Sequence, residues 1–530
     1  MVTRLESDVL VIGGGGAALV AAIAAAEGGA KVALASKGPV GLLSCTAYAG
    51  GGFTAAVEGF TPARHRELTM EIGRGVNDPD LVHILSEEGA GALSWLEERG
   101  VALAYRRGGA SMAGPSLGKL VKGTAMTMPL VDRCRELGVE FHHPVRVHTL
   151  LQEDFGGRVF GARGDARRGE VEFRSGAVIL ATGGGAWTFS HTDNPRGLTG
   201  DGYLMGFAAG CSLRDMEFVQ FYPLGPGPDV ERTWYMDARI LDRVRLTDGH
   251  GRDFLTPLLA EWGLSSGREI NMLARDRLSR AIAQKRVETG RVLLHLEDLP
   301  PEDRRDARMA HRARLMAGPD PRDPWMPVEV APVSHFMSGG LVVDSRGETG
   351  IDGLFACGEV TGGVHGANRV GGNALTELTV FGIRAGRGAA EASELRRDAD
   401  PSAYLPPIAG IDLSEHTQGR HLGEANFRKR AYELVGPLRT PESMGEMLGM
   451  TAGSLAEMGH HRDASGDDAL HWTAAAVALA GLAREESRGT HYRTDSPGEV
   501  DGQRGSYRLI PRRDGDLLVP RLEFVAAGEI

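Results

Sequence analysis

The sequence has few cysteines and no long run of positive charge. Its four cysteines, Cys45, Cys134, Cys211 and Cys357, are widely separated and form no CxxC or Cys/His array. This spacing excludes a recognisable motif for an iron–sulfur cluster, a c-type haem or a structural zinc ion, and we predict no metal site. Scattered thiols in a chain of 530 residues favour a reducing compartment over a disulfide framework. The formal net charge of −11, without a basic tract, argues against a general nucleic-acid binder.

One uncharged segment, from Val9 to Ala26, superficially resembles a signal peptide or a membrane span. Glu6 and Asp8 do not suit the basic region that precedes a signal peptide, and four successive glycines would break a spanning helix. We therefore interpret the segment as strand, tight turn and helix. We expect a cytoplasmic protein with no direct membrane span, or one that is peripheral to a membrane through a partner.

Glycine is the residue in excess. It accounts for 75 of 530 residues, about 14%, against about 7% in average usage. With 26 prolines and no G-X-Y period the chain is not collagen-like, and 42% hydrophobic with 24% charged residues is typical of a globular protein. The excess therefore predicts glycine at turns and at backbone that faces a ligand.

The chain opens with the pattern of a βαβ unit. An apolar strand at 8–12 is followed by an Ala-rich helix at 17–27 and a second strand at 31–35, with Gly13-x-Gly15-x-x-Ala18 at the first turn. Such glycines let backbone N–H groups approach a pyrophosphate at the helix N-terminus. Ser36 stands where a ribose-binding carboxylate is expected. The pattern favours a nucleotide site over a merely glycine-rich turn.

Further strands end in glycine-rich turns much later in the chain. The strand at 177–180 runs into 181–185, the segment 199–202 leads into a helix, and the strand within 351–359 is followed by a helix from about Leu375. We expect one sheet assembled from these distant segments.

The remaining stretches have a different character. Residues 236–333 are richer in Arg, Asp and Pro, with a helical pattern at 268–286, and suit an inserted domain. Apolar spacing at 412–486 predicts a small helical bundle, and the alternation at 507–525 around an Asp-Gly turn predicts a terminal hairpin.

Six motifs resemble one known family. They are SKGP at 36–39, EFVQF at 217–221, ARDxxSR at 274–280, HFxxGG at 335–340, VHGANRVGGNAL at 364–375 and AREESRG at 483–489. In this order they are similar to the flavoprotein subunits of succinate dehydrogenase and fumarate reductase, to L-aspartate oxidase and to related single-chain enoate reductases. The resemblance covers nearly the whole chain.

The resemblance implies an α/β fold, with a Rossmann-like FAD-binding domain interrupted by an α+β capping domain and followed by a C-terminal helical domain. The implied ranges are 1–235 for the first part of the FAD-binding domain, 236–340 for the capping domain, 341–395 for the second part of the FAD-binding domain, and 396–530 for the helical domain with its hairpin.

The resemblance also implies FAD. The residues carried over as cofactor-binding are Gly13, Gly15, Gly16, Ala17, Ser36, Lys37, Gly38, Ser44, Thr46, Gly51, Gly52, Ala181, Thr182, Gly183, Asp201, Glu359, Asn373, Ala374 and Leu375. Respiratory members attach the flavin covalently to a histidine in a Ser-His-Thr sequence, whereas this chain has Ser44-Cys45-Thr46. We therefore predict non-covalent FAD, with Cys45 as a small buried thiol.

Four residues carry the chemistry that the resemblance implies. Arg369 and His335 would clamp a substrate carboxylate, Arg275 would transfer the proton, and Asp237 would be its relay partner. Without the family context, Arg275 would be interpreted as part of a surface helix with salt bridges. His365 would join Arg369 and His335 in binding substrate, against the alternative of a hydrogen-bonded loop histidine.

The second carboxylate site departs from the family pattern. Tyr222 replaces a substrate-binding histidine, and Met236 aligns with a threonine that contacts the same carboxylate. A hydrogen bond to a charged group is worth about 1.5–3 kcal/mol, so these changes weaken binding of a second carboxylate. They predict a reductase of an α,β-unsaturated acid other than fumarate, with an apolar, aromatic or heterocyclic far end.

Three alternatives remain open at the level of sequence. The first is an oxidase or dehydrogenase running in the other direction, as aspartate oxidase does. The second is the flavin-bearing subunit of a larger electron-transfer complex with an iron–sulfur partner. The third is a flavin-binding scaffold without turnover. In each redox case we expect a small carboxylic-acid substrate and an external electron donor or acceptor.

Overall fold

The computed structural model describes residues 2–118, 121–227, 234–317, 323–394, 409–414, 422–456 and 467–529. The strands in these ranges are β1 (Thr3–Ile12), β2 (Val32–Ala35), β3 (Gly52–Thr54), β4 (Leu103–Arg106), β5 (Gly109–Met112), β6 (Glu140–His142), β7 (Val145–Gln152), β8 (Val159–Ala166), β9 (Gly169–Leu180), β10 (Leu213–Arg214), β11 (Val219–Pro226), β12 (Leu246–Asp248), β13 (Val292–Leu294), β14 (Val328–Met337), β15 (Gly340–Leu341), β16 (Leu354–Ala356), β17 (Gly410–Ile411), β18 (Gly505–Asp514) and β19 (Leu517–Ala526).

The α-helices in the same ranges are α1 (Gly16–Glu27), α2 (Cys45–Tyr48), α3 (Pro62–Ile72), α4 (Pro79–Glu97), α5 (Thr124–Glu136), α6 (Asp201–Ala209), α7 (Leu255–Trp262), α8 (Gly267–Leu273), α9 (Arg275–Thr289), α10 (Pro301–Arg304), α11 (Ala307–Met316), α12 (Asn373–Glu394), α13 (Glu424–Val435), α14 (Pro441–Ala456) and α15 (Asp467–Ala483). Within the described ranges, no helix is both long enough and apolar enough to span a bilayer.

The central element is a seven-stranded sheet in the order β6-β2-β1-β9-β8-β7, with β16 also paired to β9. Strands β6, β2, β1, β9 and β16 run parallel, and β8 and β7 extend the sheet antiparallel. The expectation of one sheet from distant segments is therefore confirmed. Since β1, β9 and β16 are parallel, the turns that follow them meet at one edge, where open α/β sheets bind ligands.

Helices α1 and α12 cover one face of this sheet. The α1 side chains are small and almost all buried. Helix α12 meets them with glycines: a Cβ on Gly386 would stand 2.4 Å from the Ala21 carbonyl oxygen. This close packing holds the first turn of α12 near the first turn of α1, although the two lie far apart in sequence.

A second sheet, in the order β11-β14-β13-β12, is antiparallel. Helices α7 to α11 lie in the same stretch of chain, and this region has its own apolar core that includes Leu278, Ile282 and Leu294. The single helix predicted at 268–286 is in fact two helices, α8 and α9. Ala274 has a non-helical backbone (φ −141°, ψ 28°) and separates them, so Arg275 begins a new helix.

Helices α13, α14 and α15 pack against one another, as the apolar spacing predicts. Strands β18 and β19 form the expected antiparallel hairpin. This hairpin does not stand alone, because it joins β15, β10 and β17 in a five-stranded sheet. The exact domain ranges stay a prediction, and the boundary at 395/396 lies outside the described residues.

Candidate active site

A cavity of about 820 Å³ opens at the carboxyl ends of β1 and β9. Its lining includes most of the predicted cofactor-binding positions: Gly13, Gly15, Gly16, Ala17, Ser36, Lys37, Gly38, Ser44, Thr46, Gly51, Gly52, Ala181, Thr182, Gly183, Asp201, Glu359, Ala374 and Leu375. The predicted catalytic residues Arg275, Asp237, His335 and Arg369 line the same cavity, together with Tyr222. One continuous space thus contains both predicted halves of the site.

The glycine turn after β1 fits a dinucleotide. Gly13 has a φ of +134°, and a Cβ there would stand 2.1 Å from the Ala181 carbonyl oxygen. Gly15 is the N-cap residue of α1 and has no side chain to cap the helix, while the N–H of Gly16 donates to Thr46 Oγ1 at 3.1 Å. A Cβ on Gly14 would stand 2.4 Å from Ser36 Oγ. The glycines thus bring the main chain to the cavity beside small hydroxyl side chains, which suits a pyrophosphate approaching a helix N-terminus.

Lys37 and Asp201, two predicted cofactor residues, are joined to each other. Lys37 Nζ lies 2.6 Å from Asp201 Oδ2, and Thr199 Oγ1 donates to the same oxygen at 2.5 Å. Burial acts to raise the pKa of Asp201, but the charges of Lys37 and Arg146 outweigh it and the pKa is lowered. The carboxylate is thus held ionised at the first turn of α6.

Two buried acids line the cavity near α12. Glu359 Oε1 accepts a hydrogen bond from the Met337 N–H at 3.0 Å, and burial raises the pKa of Glu359 to about 7. Burial, with the charge of Glu359, raises the pKa of Glu377 to about 8. Glu377 was not predicted from the sequence, because no motif distinguishes it from an ordinary helix acid.

The remaining predicted cofactor residue lies differently. Asn373 is fully buried, its Oδ1 lies 2.9 Å from His65 Nε2, and its Nδ2 donates to Thr69 Oγ1 at 3.0 Å. The side chain therefore holds the start of α12 against α3 and does not face the cavity.

Cys45 is on the cavity wall. Its Sγ lies 2.7 Å from Asn194 Oδ1, to which the thiol donates. Burial, with the charges of Glu359 and Asp193, raises the pKa of this thiol well above its ordinary value. The group is therefore a neutral thiol rather than a reactive thiolate.

Arg369 is a buried cation with unused hydrogen-bonding capacity. One terminal nitrogen donates to Gln220 Oε1 at 2.9 Å, and the guanidinium lies 4.4 Å from the Phe336 ring centroid. Its Nε is buried without a partner among the described residues. Burial, followed by the charge of Arg275, lowers its pKa to about 9. An anion in the cavity would supply the missing partner and countercharge.

Arg275 faces Arg369 from the start of α9. Its Nε donates to Asn271 Oδ1 at 3.1 Å, and the guanidinium lies 5.3 Å from the Tyr222 ring centroid. A Cβ on Gly371 would stand 2.5 Å from one terminal nitrogen of Arg275, so glycine is needed for this close approach. Two guanidinium groups thus border the same space.

Asp237 also lines the cavity, but its direct ion pair is with Arg239. The carboxylate oxygens lie 2.9 and 2.8 Å from Nε and a terminal nitrogen of Arg239. Burial acts to raise the pKa of Asp237, yet hydrogen bonds from Arg239 and the charge of Arg275 lower it. The side chain of Arg239 is 63% exposed, so this pair connects the cavity to solvent.

His335 lies on β14, close enough to Arg369 and Arg275 for their charges to act on it. Its Nδ1 lies 2.5 Å from Asp193 Oδ2. Burial lowers the pKa of His335, and the charges of Arg369 and Arg275 act in the same direction against Asp193. Asp193, which lies in a loop before α6, was not predicted from the sequence.

The wall opposite Arg369 is aromatic. Tyr222 donates to Asn271 Oδ1 at 2.8 Å and lies 4.3 Å from Tyr235, ring to ring, while Trp234 stacks on Tyr235 at 5.7 Å. Trp234 and Tyr235 line the cavity and were missed from the sequence. Met236, predicted to bind substrate, is instead 1% exposed in the apolar core of the second sheet. The next residue, Asp237, lines the cavity, so the side chains of Met236 and Asp237 lie on different sides of this segment.

His365 lies one layer behind the cavity wall. Its ring packs edge-on against Phe336 at 5.2 Å, and neither ring nitrogen has a partner among the described residues. Burial, with the charge of Arg369, lowers the pKa of His365 well below its ordinary value. His365 is therefore not among the residues that line the cavity, and its role in substrate binding stays a prediction.

A dinucleotide cradle that continues into a site with paired guanidinium groups defines an FAD-dependent oxidoreductase. Comparison with known proteins identifies the family. A model described as FAD binding domain matches residues 8–375, and one described as fumarate reductase flavoprotein C-term matches residues 468–517. The chain belongs to the succinate dehydrogenase/fumarate reductase flavoprotein family.

Individual relatives cover almost the full chain. One is a subunit of the fumarate reductase (CoM/CoB) of Methanothermobacter marburgensis, which is 32% identical over 93% of this chain and 95% of its own. L-aspartate oxidase from Caulobacter vibrioides is 31% identical over 89% of each. The FrdA structure of E. coli quinol fumarate reductase superposes with a TM-score of 0.79 at 25% identity, over 99% of this chain and 97% of that one. The predicted fold class and family are thereby confirmed.

Proposed function

We propose that this flavoprotein reduces an α,β-unsaturated carboxylic acid whose far end is aromatic or apolar rather than a second carboxylate. The observation that carries the proposal is the pairing of two guanidinium groups with an aromatic wall across one cavity. Bound FAD would supply a hydride from N5 to one carbon of the C=C bond. The residues of this chain supply the binding, orientation and proton transfer.

The carboxylate end is bound by Arg369 and His335. The free Nε of Arg369 and its planar guanidinium suit bidentate binding of a carboxylate. The guanidinium group lies over the Phe336 ring, and this contact helps to orient it. Binding an anion here also relieves the repulsion between Arg369 and Arg275.

The proton comes from Arg275. Its Nε is held by Asn271, which leaves the terminal nitrogens for the substrate carbon. A guanidinium donor must be reprotonated after each turnover. Asp237, which lies close enough to have its pKa lowered by Arg275, would take a proton from solvent and pass it on, and its ion pair with the exposed Arg239 lies at the solvent side.

The far end of the substrate packs on Tyr222, Tyr235 and Trp234. Tyr222 directs its hydroxyl into hydrogen bonds with Asn271 and Ala238, so it presents its ring rather than a free donor. Offset and edge-to-face aromatic contacts are each worth about 0.5–1.5 kcal/mol beyond the area they bury. A second carboxylate packed on these ring faces would give up its hydrogen bonds to water, which an apolar or aromatic group does not have to do.

The test is anaerobic stopped-flow reoxidation of photoreduced holoenzyme with cinnamate, crotonate, fumarate and O2. We expect cinnamate to reoxidise the flavin faster than crotonate, and both to be faster than fumarate. Fastest reoxidation by fumarate would contradict the proposal, and fastest reoxidation by O2 with peroxide formation would point to an oxidase.

We further propose that FAD is bound non-covalently and that electrons arrive from an external donor. Cys45 replaces the family's attachment histidine, and its thiol is engaged with Asn194. The relative from Methanothermobacter marburgensis is named as one subunit of a fumarate reductase, and this favours a separate iron–sulfur protein as the candidate donor. Affinity purification from the native host, followed by assay of acid-labile sulfide, tests for such a partner.

A further inference from the structure

The imidazole of His335 is paired with a carboxylate from a separate loop. Asp193 Oδ2 lies 2.5 Å from Nδ1, and Asp193 Oδ1 accepts from Asn194 Nδ2 at 2.9 Å. An ionised carboxylate only accepts hydrogen bonds, so Nδ1 carries the hydrogen. Nε2, for which the described residues offer no partner, is left for the cavity that His335 lines.

The loop that carries Asp193 is tied to β14 at the histidine itself. Thr192 Oγ1 and the Asp193 N–H both donate to the Ser334 carbonyl oxygen, at 2.8 and 3.2 Å. Asn194 Nδ2 donates to the His335 carbonyl oxygen at 3.0 Å. Three successive residues therefore hold loop and strand together, and the orientation of the ring is set before any ligand arrives.

Other charged and titratable groups face this imidazole from each neighbouring element. Arg275 comes from α9, Arg369 from the loop before α12, and Tyr222 and Tyr235 from the aromatic wall. Burial raises the pKa of both phenols, so they stay neutral at physiological pH. The two guanidinium groups and burial favour the neutral imidazole in the free enzyme, and only Asp193 opposes them.

A neutral imidazole with its hydrogen on Nδ1 has only a lone pair at Nε2. A carboxylate also has only lone pairs, so the two cannot form a hydrogen bond until Nε2 takes up a proton. We propose that a carboxylate ligand binds here together with one proton, taken from solvent onto Nε2 of His335, and that Asp193 is the positioning residue that makes the doubly hydrogen-bonded imidazolium possible. The inference rests on the proposed function only in that the ligand is a carboxylate.

Calorimetric titration of oxidised holoenzyme tests this directly. Cinnamate and fumarate are each titrated without an electron donor, in buffers of different ionisation enthalpy, between pH 6 and 9. Since either carboxylate must meet Nε2, we expect the same proton uptake for both, approaching one proton per ligand in the window where the free imidazole is neutral and the bound one is charged. Within that window, affinity should fall by up to about tenfold per pH unit.

Asp193→Asn keeps an acceptor for Nδ1–H but removes the negative charge. We expect proton uptake to fall towards zero, affinity to drop by about tenfold or more, and KM to rise more than kcat falls. Asp165→Asn is the matched control, because Asp165 pairs with His148 at 3.7 Å and neither residue lines the cavity. Asp193→Glu should restore part of the uptake, which separates a charge effect from a folding defect visible in the flavin spectrum.

Undiminished proton uptake in Asp193→Asn, or no uptake by the unmodified enzyme at any pH tested, would overturn the inference. Tighter binding of fumarate than of cinnamate, with uptake intact for both, would instead count against the aromatic-acid proposal while supporting the role of Asp193. The two proposals therefore fail in different measurements.

Discussion

The cofactor end and the substrate end of the cavity are built in different ways. At the cofactor end, glycine-rich turns after β1 and β9 border the cavity, and the missing side chains leave space for the ligand. At the substrate end, side chains from widely separated segments meet, with Arg275 on α9 facing Arg369 before α12. One end depends on backbone geometry, and the other depends on which side chains the fold brings together.

The two ends also differ in whether their buried charges have a countercharge. The ionised Asp201 at the cofactor end already has its countercharge in Lys37. Arg369 at the substrate end has a polar partner in Gln220 and no direct ion pair among the described residues. A buried charge without a countercharge destabilises the folded protein, and such charges persist where a bound ligand supplies the opposite charge. The substrate end is thus prepared for an anion, whereas the cofactor end is already neutralised.

The largest effect is expected at Arg275. Arg275→Gln removes the proposed proton donor, and general acid catalysis typically contributes about 10²–10⁴-fold, so kcat should fall by that amount. FAD content and the rate of flavin reduction by dithionite should not change, because the cofactor end is untouched. Steady-state kinetics measure kcat, and the visible spectrum measures FAD content and flavin reduction.

Arg280→Gln is the matched control on the same helix, where the arginine lies 4.7 Å from the Tyr492 ring and outside the cavity lining. Retention of more than a tenth of the activity in Arg275→Gln would rule out its assigned role.

The next effect concerns the aromatic wall. Tyr235→Leu removes one aromatic partner, which is worth about 0.5–1.5 kcal/mol, so kcat/KM for cinnamate should fall about twofold to tenfold relative to crotonate. Tyr105→Leu, at an exposed residue that does not line the cavity, should leave the ratio unchanged. An equal loss for both substrates would mean that the wall does not contact the far end.

A smaller effect is expected from Glu377 at the cofactor end. Burial raises its pKa from 4.5 to about 8 in the folded protein. The protonated acid is favoured by folding, so its contribution to stability is complete below the unfolded pKa and is lost as the pH rises towards 8. The melting temperature of flavin-free protein should therefore fall more between pH 5 and 8 than that of Glu377→Gln.

Glu391→Gln is the comparison variant, because Glu391 lies on the same helix and pairs with Arg346 at the surface. It should follow the pH dependence of the unmodified protein. A parallel pH dependence for Glu377→Gln would show that this carboxyl does not titrate in the window.

The smallest effect is expected at Cys45. Acid precipitation of the unmodified protein and of Cys45→Ser should both leave a colourless pellet and a yellow supernatant, because the thiol holds Asn194 and no flavin bond is expected. A yellow pellet from the unmodified protein alone would establish a thioether at this residue.

Local sequence signals were enough for much of the fold. The strand, turn and helix at the start of the chain, the strand ending at Leu180 and the helix that begins near Leu375 follow from apolar runs and glycine turns. These signals can be read from short segments because a parallel strand and the helix that follows it are mostly buried. Their apolar residues are therefore close together in the sequence. The break at Ala274 was missed, since helical spacing continues across it and only the backbone angles reveal it.

The direction in which each side chain points was harder to predict from the sequence. The family motifs indicated Arg369, Arg275 and His335 by position, but Met236 and Asp237 show how one segment divides its side chains between an apolar core and the cavity. Asp193 and Glu377 carry no motif that distinguishes them from ordinary loop and helix acids. Their importance comes from burial and, for Asp193, from its contact with His335, which lies more than a hundred positions away in the sequence.

The amino-acid sequence by itself determined the cofactor end: where strands stop, where glycine lets the backbone approach a phosphate, and which family the chain belongs to. These are properties of short contiguous segments. Only the tertiary structure decided the substrate end, since the pairing of His335 with Asp193, the approach of Arg275 to Gly371 and the aromatic wall all arise between segments that are distant in the chain. Charge and burial act through space, and the fold sets those distances.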